Sequence, residues 1–420
     1  MTRTELLELI KNGEGSGVEF DLDTLDAYHF AKEVVAFANF RGGRILLGVN
    51  DRGEAVGITR PDLEQWVMQV CRDKVRPEII PFYETVTLEA GRVVAVVHVL
   101  RGLDVHHVWH NNHRYYFVRV GSTSREASQE ELRRLFQQRG QLRFDLHPVS
   151  GATLSDLDLR RLHNYFLDIR GQEAPDLSDP EQWTTLLLNT EILVEADNRA
   201  VPSLGGLLLF GRNPKRFLPQ SGISAAAYPT PVKDYATSER AVLRGPMVPL
   251  LDRNGEVVEA GLVEQALAFV HRNTRVEGWV DEGGRRVERR AYPDEAVREV
   301  IVNALVHRDY TVTGTDIELS IYPDRLEVIS PGQLPNTITV QRMRAGCRAT
   351  RNELIKEIMR DYRYIEHMGM GIPYKVIRGM RQHNGTDPDL VEQEMSFLVR
   401  LWAKGSEAGH ANAVATDRPG

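Results

Sequence analysis

Acidic side chains crowd into a glycine-rich turn and the segment after it, GEGSGVEFDLD, at residues 13–23. Glu14 lies in the turn, and Glu19 follows in a segment whose alternation is typical of a strand. Asp51 comes where a second apolar segment, RILLGVND, ends. If the two strands are neighbours, these carboxylates converge at one sheet end, where like charges disfavour ionisation. A bound Mg²⁺ or Mn²⁺ would remove that conflict, and such a metal can polarise a phosphodiester and activate water.

A second polar set lies in the segment REVIVNALVHRDY, residues 298–310, which is predicted to be helical. Glu299, Asn303 and His307 are four residues apart, so one helix face presents all three. An Asn oxygen can bind a magnesium ion that bridges phosphates, and a carboxylate one turn earlier can orient water. The stripe therefore offers the parts of a nucleotide site.

Both sets also have a plain structural interpretation. Asp and Glu are mostly solvent-exposed, and a polar stripe is typical of a solvated helix face. The histidines of VHHVWHNNHRYYF offer zinc ligands, but no cysteine is near and the spacing matches no zinc-finger signature. Exposed hairpin histidines are the expectation there.

The elements around the acidic turn predict an α/β domain. A strand at residues 18–22, a helix at 26–39 and the strand RILLGV follow one another with short links, which favours a right-handed parallel crossover. A hairpin, the strand RYYFVRV and the helix SQEELRRLFQQRG complete a first domain at residues 1–142.

The rest of the chain predicts two further domains. Residues 143–290 form a middle connector whose two helices and hairpin favour either a winged-helix-like or an α/β arrangement. Residues 291–405 form the third domain, which contains the polar helix. Residues 406–420 lack apolar periodicity and are predicted to be a disordered tail.

Composition narrows the class of protein. The net charge of −7 argues against a general polyanion binder, so nucleic-acid contact would need a local basic face. No apolar run approaches the roughly 20 residues of a membrane helix. No export signal is present and the two cysteines, Cys71 and Cys347, form no disulfide framework, so a cytoplasmic protein without a membrane partner is expected.

The segments GEGSGVEFD and KEVVAFANFRGGRILLGVNDRGEAVGI resemble the Schlafen/AlbA-type DNA-binding domain over about the first 140 residues. The resemblance implies that Glu14, Glu19 and Asp51 form a metal-dependent RNA-cleaving site, as in Schlafen nucleases. Asp21 stands where that family has a lysine. This acid is then either a further metal ligand or a mark of lost catalysis.

Two arginines in RVGSTSREAS are candidate nucleic-acid contacts. Arg119 and Arg125 flank a glycine-serine turn that precedes a helix, where backbone amides can hold a phosphate. A solvated loop with Ser128 as N-cap is equally consistent with this segment.

The polar helix, together with IELSIYPDRLEVISPGQLP, RATRNELI and EHMGMGIPYKVI, resembles the HATPase-type domain of RecG-related bacterial ATP-binding proteins. This domain is a branch of the GHKL fold, an α/β sandwich, and the resemblance spans about residues 292–375. It implies that Asn303 binds Mg²⁺ and that Glu299 is a water-activating base. The other implied nucleotide contacts are His307, Ser330, Gly332, Arg351, Gly369 and Gly371.

Two details of this resemblance bear on nucleotide binding. Arg351 and Asn352 are expected on a mobile lid. Ser330-Pro331-Gly332 stands where an Asp-x-Gly sequence would read the adenine amino group, so recognition of adenine and hydrolysis of ATP both stay open.

The sequence thus predicts a multidomain α/β (α+β) protein that binds ATP and nucleic acid. The favoured function is a Schlafen-like metal-dependent endonuclease, acting on RNA or single-stranded DNA and gated by nucleotide, with a role in phage defence and as a homo-oligomer. The alternatives are a non-catalytic, ATP-responsive DNA-binding transcription regulator and a structural role in a larger assembly with both sites degenerate.

Overall fold

The computed structural model describes residues 1–138, 143–280, 283–334, 338–347, 349–365 and 370–406. The chain divides into two compact units, Met1–Leu142 and Arg143–Gly420, and both mix helices with sheets. The predicted multidomain α/β class is therefore confirmed. Of the predicted tail, only Ser406 is among the described residues. Within the described ranges, every helix is too short or too polar to cross a bilayer.

The first unit contains a four-stranded sheet and smaller sheets. Its helices are α1 (Arg3–Asn12), α2 (Ala27–Asn39), α3 (Leu63–Lys74) and α4 (Gln129–Gln138). Its strands are β1 (Val18–Asp21), β2 (Gly43–Leu47), β3 (Val75–Arg76), β4 (Phe82–Thr87), β5 (Val93–Val99), β6 (His107–His110), β7 (His113–Tyr115), β8 (Phe117–Val120) and β9 (Thr123–Glu126).

The main sheet of this unit has the order β1-β2-β5-β4. β1 and β2 are parallel, with Asp21 opposite Leu47, and α2 connects them, which confirms the parallel pairing predicted for these two strands. Alternate residues bury on opposite faces: Leu47 packs with α2 and α3, and Leu46 packs with α1. The predicted strand RYYFVRV is instead two strands, β7 and β8, which lie in different sheets.

The end of α2 is fixed by polar and steric contacts. Asn39 is buried; its Nδ2 donates to the carbonyl oxygens of His106 (2.9 Å) and Phe117 (3.0 Å), and its Oδ1 accepts from the His106 amide (2.9 Å). Gly42 has φ +80°, and a Cβ there would lie 2.7 Å from the Val99 carbonyl oxygen, so glycine is required. These contacts fix the chain between α2 and β2, which in turn leads to Asp51.

The second unit is built around a six-stranded sheet. Its helices are α5 (Leu159–Asn164), α6 (Pro180–Asn189), α7 (Leu204–Phe210), α8 (Leu262–Asn273), α9 (Asp294–His307), α10 (Val340–Arg344), α11 (Glu353–Asp361) and α12 (Gly379–Asn384), and π-helical stretches cover Tyr165–Ile169 and Gly371–Arg378. Its strands are β10 (Leu193–Ala196), β11 (Arg199–Pro202), β12 (Ile223–Ala227), β13 (Glu239–Leu243), β14 (Leu250–Leu251), β15 (Val257–Glu259), β16 (Val276–Val280), β17 (Arg286–Arg290), β18 (Ile317–Ile321), β19 (Arg325–Pro331), β20 (Asp389–Glu392) and β21 (Ser396–Trp402).

The large sheet of the second unit has the order β13-β12-β18-β19-β21-β20, and only its β12–β18 pair is parallel among the described strands. α8 and α9 pack on it through apolar residues such as Phe269, Val300 and Ile301. The domain boundary predicted between residues 290 and 291 lies inside this unit. β12 precedes that boundary in the chain and β18 follows it, yet the two strands pair in the same sheet. α5, α6 and the β10–β11 hairpin pack into the same core.

We predict that Asn39→Ala destabilises the first unit by about 3 kcal/mol, because three buried backbone groups lose their partner. The fully buried thiol of Cys71 lies in the same unit, so the urea dependence of its labelling by a short maleimide pulse measures this stability. The control Asn12→Ala changes an exposed residue and should shift stability by about 0.5 kcal/mol or less. Equal midpoints for both variants would contradict a structural role for Asn39.

Candidate functional sites

Five carboxylates gather around β1 and β2 in the first unit. This acidic cluster consists of Glu14, Glu19, Asp21, Glu33 and Asp51. It therefore includes the three residues predicted from the sequence, together with Asp21 and a glutamate on α2 that the sequence did not single out.

Two members of the acidic cluster are neutralised by cations of the protein. Arg119 Nη2 lies 2.5 Å from Glu19 Oε2, and Arg119 Nη1 lies 3.1 Å from Glu33 Oε2. Lys32 Nζ lies 3.4 Å from the other oxygen of Glu33. The buried Arg119 also donates to the carbonyl oxygen of Gly15 (2.8 Å), so it holds the acidic turn in place.

The other three members, Glu14, Asp21 and Asp51, have no ion-pair partner within the described part of the chain. Glu14 Oε1 accepts a hydrogen bond from the backbone amide of Phe20 (3.0 Å). Asp21 is half-buried at the end of β1, and Asp51 is exposed beyond β2. The unneutralised charge is therefore concentrated at the carboxyl end of the two parallel strands.

Burial and mutual repulsion change the acidity of two of these groups. The pKa of Asp21 is raised to about 7 by burial and then by the charges of Glu33, Glu14 and Asp51. Burial, with Glu33 next, also raises the pKa of Glu19 to about 7, although Arg119 opposes this change. Near neutral pH the cluster thus carries protons that a bound cation would displace.

The oxygen donors of the cluster suit Mg²⁺ or Mn²⁺, which prefer carboxylate ligands. Over residues 1–138, no three His, Cys, Asp or Glu side chains are already arranged around a common ion position. The unpaired Asp21, with Glu14 and Asp51 close enough to raise its pKa, is the part of the cluster that fits a metal in donor chemistry.

Neither arginine predicted to contact nucleic acid presents a free guanidinium. Arg119 is buried, so its side chain faces the acidic cluster instead of solvent. Arg125 is exposed, but it forms a two-point ion pair with Glu131 (2.7 and 2.9 Å), and Glu131 also accepts from the Ser128 amide. The segment is the β8–β9 hairpin instead of a solvated loop, and Ser128 directly precedes α4. The histidines of β6 and β7 do not converge on a metal position within the described residues.

A cavity in the second unit lies between α9, β19 and the segment after α10. Glu299, Asn303 and His307 all line it, so the predicted helix face points into the cavity. Asn303 Nδ2 donates to Glu299 Oε1 (3.0 Å), which orients the amide and leaves its oxygen without a hydrogen-bond partner among the described residues. That oxygen is the atom that would bind a metal.

Glu299 is held closely by its surroundings. A Cβ on Gly371 would lie 1.9 Å from Glu299 Oε1, so the chain can pass the carboxylate here only as glycine. Lys375 Nζ lies 3.8 Å from Glu299 Oε2. Gly371 lines the cavity, whereas Gly369 lies outside the described residues.

His307 faces the cavity as a neutral imidazole. Burial, with the charges of Arg351 and Lys356, lowers its pKa to about 4. Its Nδ1 is buried and has no hydrogen-bond partner among the residues described. A hydrogen-bonding group of a ligand would satisfy this nitrogen.

Arg351 and Asn352 stabilise the end of α9 and are not exposed on a lid. Arg351 is buried and donates to the carbonyl oxygens of His307 (2.8 Å) and Gln333 (2.7 Å). Asn352 Nδ2 donates to the carbonyl oxygens of Val306 (2.8 Å) and Arg308 (2.9 Å). These bonds satisfy carbonyl groups that a helix end leaves free.

Ser330 and Gly332 also line the cavity. The Ser330 hydroxyl donates its proton to the Ala304 carbonyl oxygen (2.9 Å). Towards a ligand, this hydroxyl can therefore act only as a hydrogen-bond acceptor. Gly332 has φ +108°, and a Cβ there would lie 2.5 Å from Asp309 Cβ. Sequence reasoning missed two lysines of this site: Lys356 lines the cavity, and Lys375 lies beside Glu299. Neither belongs to a recognisable motif, and a single lysine in a helix is usually solvated.

Two family models match parts of the chain. Residues 14–128 match "Schlafen, AlbA_2", and residues 314–401 match "Putative ATP-dependent DNA helicase recG C-terminal". The resemblances inferred at both ends of the chain are therefore confirmed. The second match begins after α9, so the positions of Glu299, Asn303 and His307 rest on the geometry of the cavity. The comparison with curated proteins finds no match.

Two solved structures are similar at low identity. The DIP2311 protein from Corynebacterium diphtheriae is 20% identical, with a TM-score of 0.42, over 93% of this chain and 75% of that chain. The N-terminal domain of a putative ATP-dependent DNA helicase RecG-related protein from Nitrosomonas europaea is 23% identical, with a TM-score of 0.23, over 30% of this chain and 94% of that domain.

We predict that the stability of the first unit falls as pH rises from about 4 to about 7. In this range Glu19 and Asp21, with folded pKa values of about 7, hold protons that the unfolded chain has lost. Asp21→Asn should reduce this pH dependence, and the control Asp62→Asn, at an exposed carboxylate, should keep it. Urea midpoints from the Cys71 labelling pulse at several pH values measure it. An unchanged pH dependence in Asp21→Asn would contradict the assigned environment.

Proposed function

We propose that this protein is a metal-dependent nuclease for RNA or single-stranded DNA, and that ATP binding in the second unit controls it. The observation that carries the proposal is the half-buried Asp21 carboxylate, which has no cation partner among the described residues and lies beside other acids. Such a group is costly without a cation. The match of residues 14–128 to the Schlafen AlbA_2 model supports the same assignment.

In the proposed nuclease site, Glu14, Asp21 and Asp51 would hold Mg²⁺ or Mn²⁺. The metal would supply a Lewis acid and a nucleophilic water at neutral pH. Glu19, which the sequence placed among the ligands, is paired with Arg119 and would orient the turn that carries Glu14. Its raised pKa would also allow it to accept or release a proton near neutral pH.

In the proposed nucleotide site, ATP would occupy the cavity of the second unit with Mg²⁺ on the free oxygen of Asn303. Glu299, hydrogen-bonded to Asn303 and next to Lys375, is placed to orient a water. Gly371 brings the backbone against Glu299, which suits close approach of phosphates. The match of residues 314–401 to a helicase C-terminal model supports a nucleotide-dependent role.

A second candidate is an ATP-responsive DNA-binding regulator without catalysis. Arg119 supports it, because this arginine already neutralises Glu19 and Glu33 and so replaces part of a metal's role. In this alternative the acidic cluster would stabilise only the turn of the first unit. The two candidates differ in whether the unpaired acids bind a metal.

We predict that Asp51→Asn reduces Mn²⁺-dependent cleavage by at least about 100-fold, since loss of a ligand costs more than loss of an outer-shell partner. Asp51 is exposed and without a hydrogen bond or ion pair among the described residues, so the fold should be unchanged. Labelled RNA and single-stranded DNA oligonucleotides serve as substrates, and Asp62→Asn is the control of equal charge change.

Equal cleavage by Asp51→Asn and Asp62→Asn would attribute the activity to a contaminant or another site. Absence of cleavage in the unmodified protein with either substrate would favour the regulator. A fluorescence titration with Mn²⁺ adds a readout that does not depend on turnover.

We also predict that ATP with Mg²⁺ raises the thermal unfolding midpoint of the second unit, and that Asn303→Ala removes most of this shift. The alanine deletes the only oxygen of that side chain, whereas the control Asn254→Ala changes an exposed loop residue away from the cavity. Differential scanning calorimetry with ATP and Mg²⁺, and with ATP and EDTA, separates metal-dependent binding from other effects. Identical shifts in Asn303→Ala and Asn254→Ala would rule out Asn303 as the magnesium ligand.

A further inference from the structure

The second unit contains another cavity, of about 330 Å³, which shares no lining residue with the cavity around Asn303. It lies where β12 and β18 end, and it is closed by the base of the β16–β17 hairpin and by residues that follow β21. We call it the basic cavity. It is lined by Arg275, Arg289, Arg290 and Lys404 and by one acid, Glu277.

The cations of the basic cavity are poorly neutralised. Arg275 and Lys404 are exposed, and their side chains have no hydrogen bond or ion pair among the residues the structure describes. Arg290 Nε lies 3.5 Å from Asp294 Oδ2, and Arg289 Nη2 lies 3.4 Å from Asn384 Oδ1, both longer than a strong charged hydrogen bond. An excess of positive charge therefore faces this cavity.

Strand pairing forces these cations together. In the hairpin, Arg290 is opposite Val276 and Arg289 is opposite Glu277, while Arg275 directly precedes β16. The Ala291 amide donates to the Arg275 carbonyl oxygen (3.1 Å), which fixes the base of the hairpin. Three guanidinium-bearing residues are thus held at one end of a two-stranded ribbon, where an anion would relieve their repulsion.

Aromatic side chains make the wall of the basic cavity rigid. The rings of Tyr228 and Tyr322 stack with a centroid distance of 4.9 Å and an interplanar angle of 12°. The guanidinium of Arg325 lies 3.9 Å from the Tyr322 ring centroid, so this ring is held firmly. Tyr292 is buried and also lines the cavity. Packed phenol rings beside cations suit a small molecule that has both an anionic and a less polar part.

We propose that the basic cavity binds a small phosphorylated metabolite, with the phosphate group on Arg275, Arg289, Arg290 and Lys404. A nucleic-acid strand is disfavoured because the protein carries a net charge of −7 and because the cations surround a concave cavity instead of following an extended surface. The cavity volume lies within the range of small-molecule sites, roughly 300–1,000 Å³. Arginine forks match phosphate geometry, which explains the excess of arginine over lysine.

The test uses inorganic pyrophosphate as the probe, titrated into the full chain by calorimetry in EDTA, so that magnesium-dependent binding near Asn303 is suppressed. Arg275→Glu and Lys404→Glu should each weaken binding at least tenfold, and neither should affect folding because both residues are exposed and unpaired. Arg253→Glu, an exposed cation outside the cavity, is the control with the same charge change. Asn303→Ala should bind the probe like the unmodified protein.

Each other outcome overturns the proposal. Absence of pyrophosphate binding would show that the basic cavity is not a phosphate site. An equal loss of binding in Arg253→Glu would attribute the binding to the general charge of the protein. Loss of binding in Asn303→Ala alone would place the probe in the other cavity. If a 20-nucleotide single-stranded RNA, and not pyrophosphate, depended on Arg275 and Lys404, the cations would serve a strand instead of a small molecule.

Discussion

Electrostatic repulsion among the carboxylates at the end of β1 and β2 is the constraint on which the first unit depends. The parallel crossover brings the end of β1 and the residues after β2 to one edge, and α2 adds Glu33 from the same side. Arg119 and Lys32 neutralise only part of this charge. The half-buried Asp21, whose pKa is raised to about 7, either keeps a proton near neutral pH or binds a cation. Protonation of Asp21 would stabilise the fold alone, whereas a bound cation would also supply the proposed chemistry.

The second unit also exposes polar side chains to a cavity, and these come from the single helix α9. Glu299, Asn303 and His307 line a cavity on the α9 face that would otherwise pack against neighbouring segments. Gly371 permits the chain to pass directly over the Glu299 carboxylate, and Arg351 closes the carbonyl end of the helix. These contacts keep the polar face ordered without filling the cavity. The basic cavity belongs to the same unit, but most of its charged lining residues are cations.

The sequence predicted local features well and distant pairings poorly. The α9 stripe follows from helical spacing within a single segment, and the β1–α2–β2 crossover follows from order and short links. Arg119 was interpreted as a phosphate contact because nothing local shows that it folds back on Glu19, about a hundred residues earlier in the chain. Glu33 was missed because a glutamate in a helix is normally solvated. Likewise, the β12–β18 pairing across the predicted domain boundary joins segments about 90 residues apart, beyond the reach of periodicity.

The most direct test of the central claim is a crystal of the full chain soaked with Mn²⁺ and measured at a wavelength that reveals manganese by its anomalous signal. The proposed metal site predicts one ion bound by oxygens of Asp21, Glu14 and Asp51, with the Glu19–Arg119 pair retained. A map with no manganese at this edge, and with Asp21 and Asp51 turned apart into solvent, would contradict it.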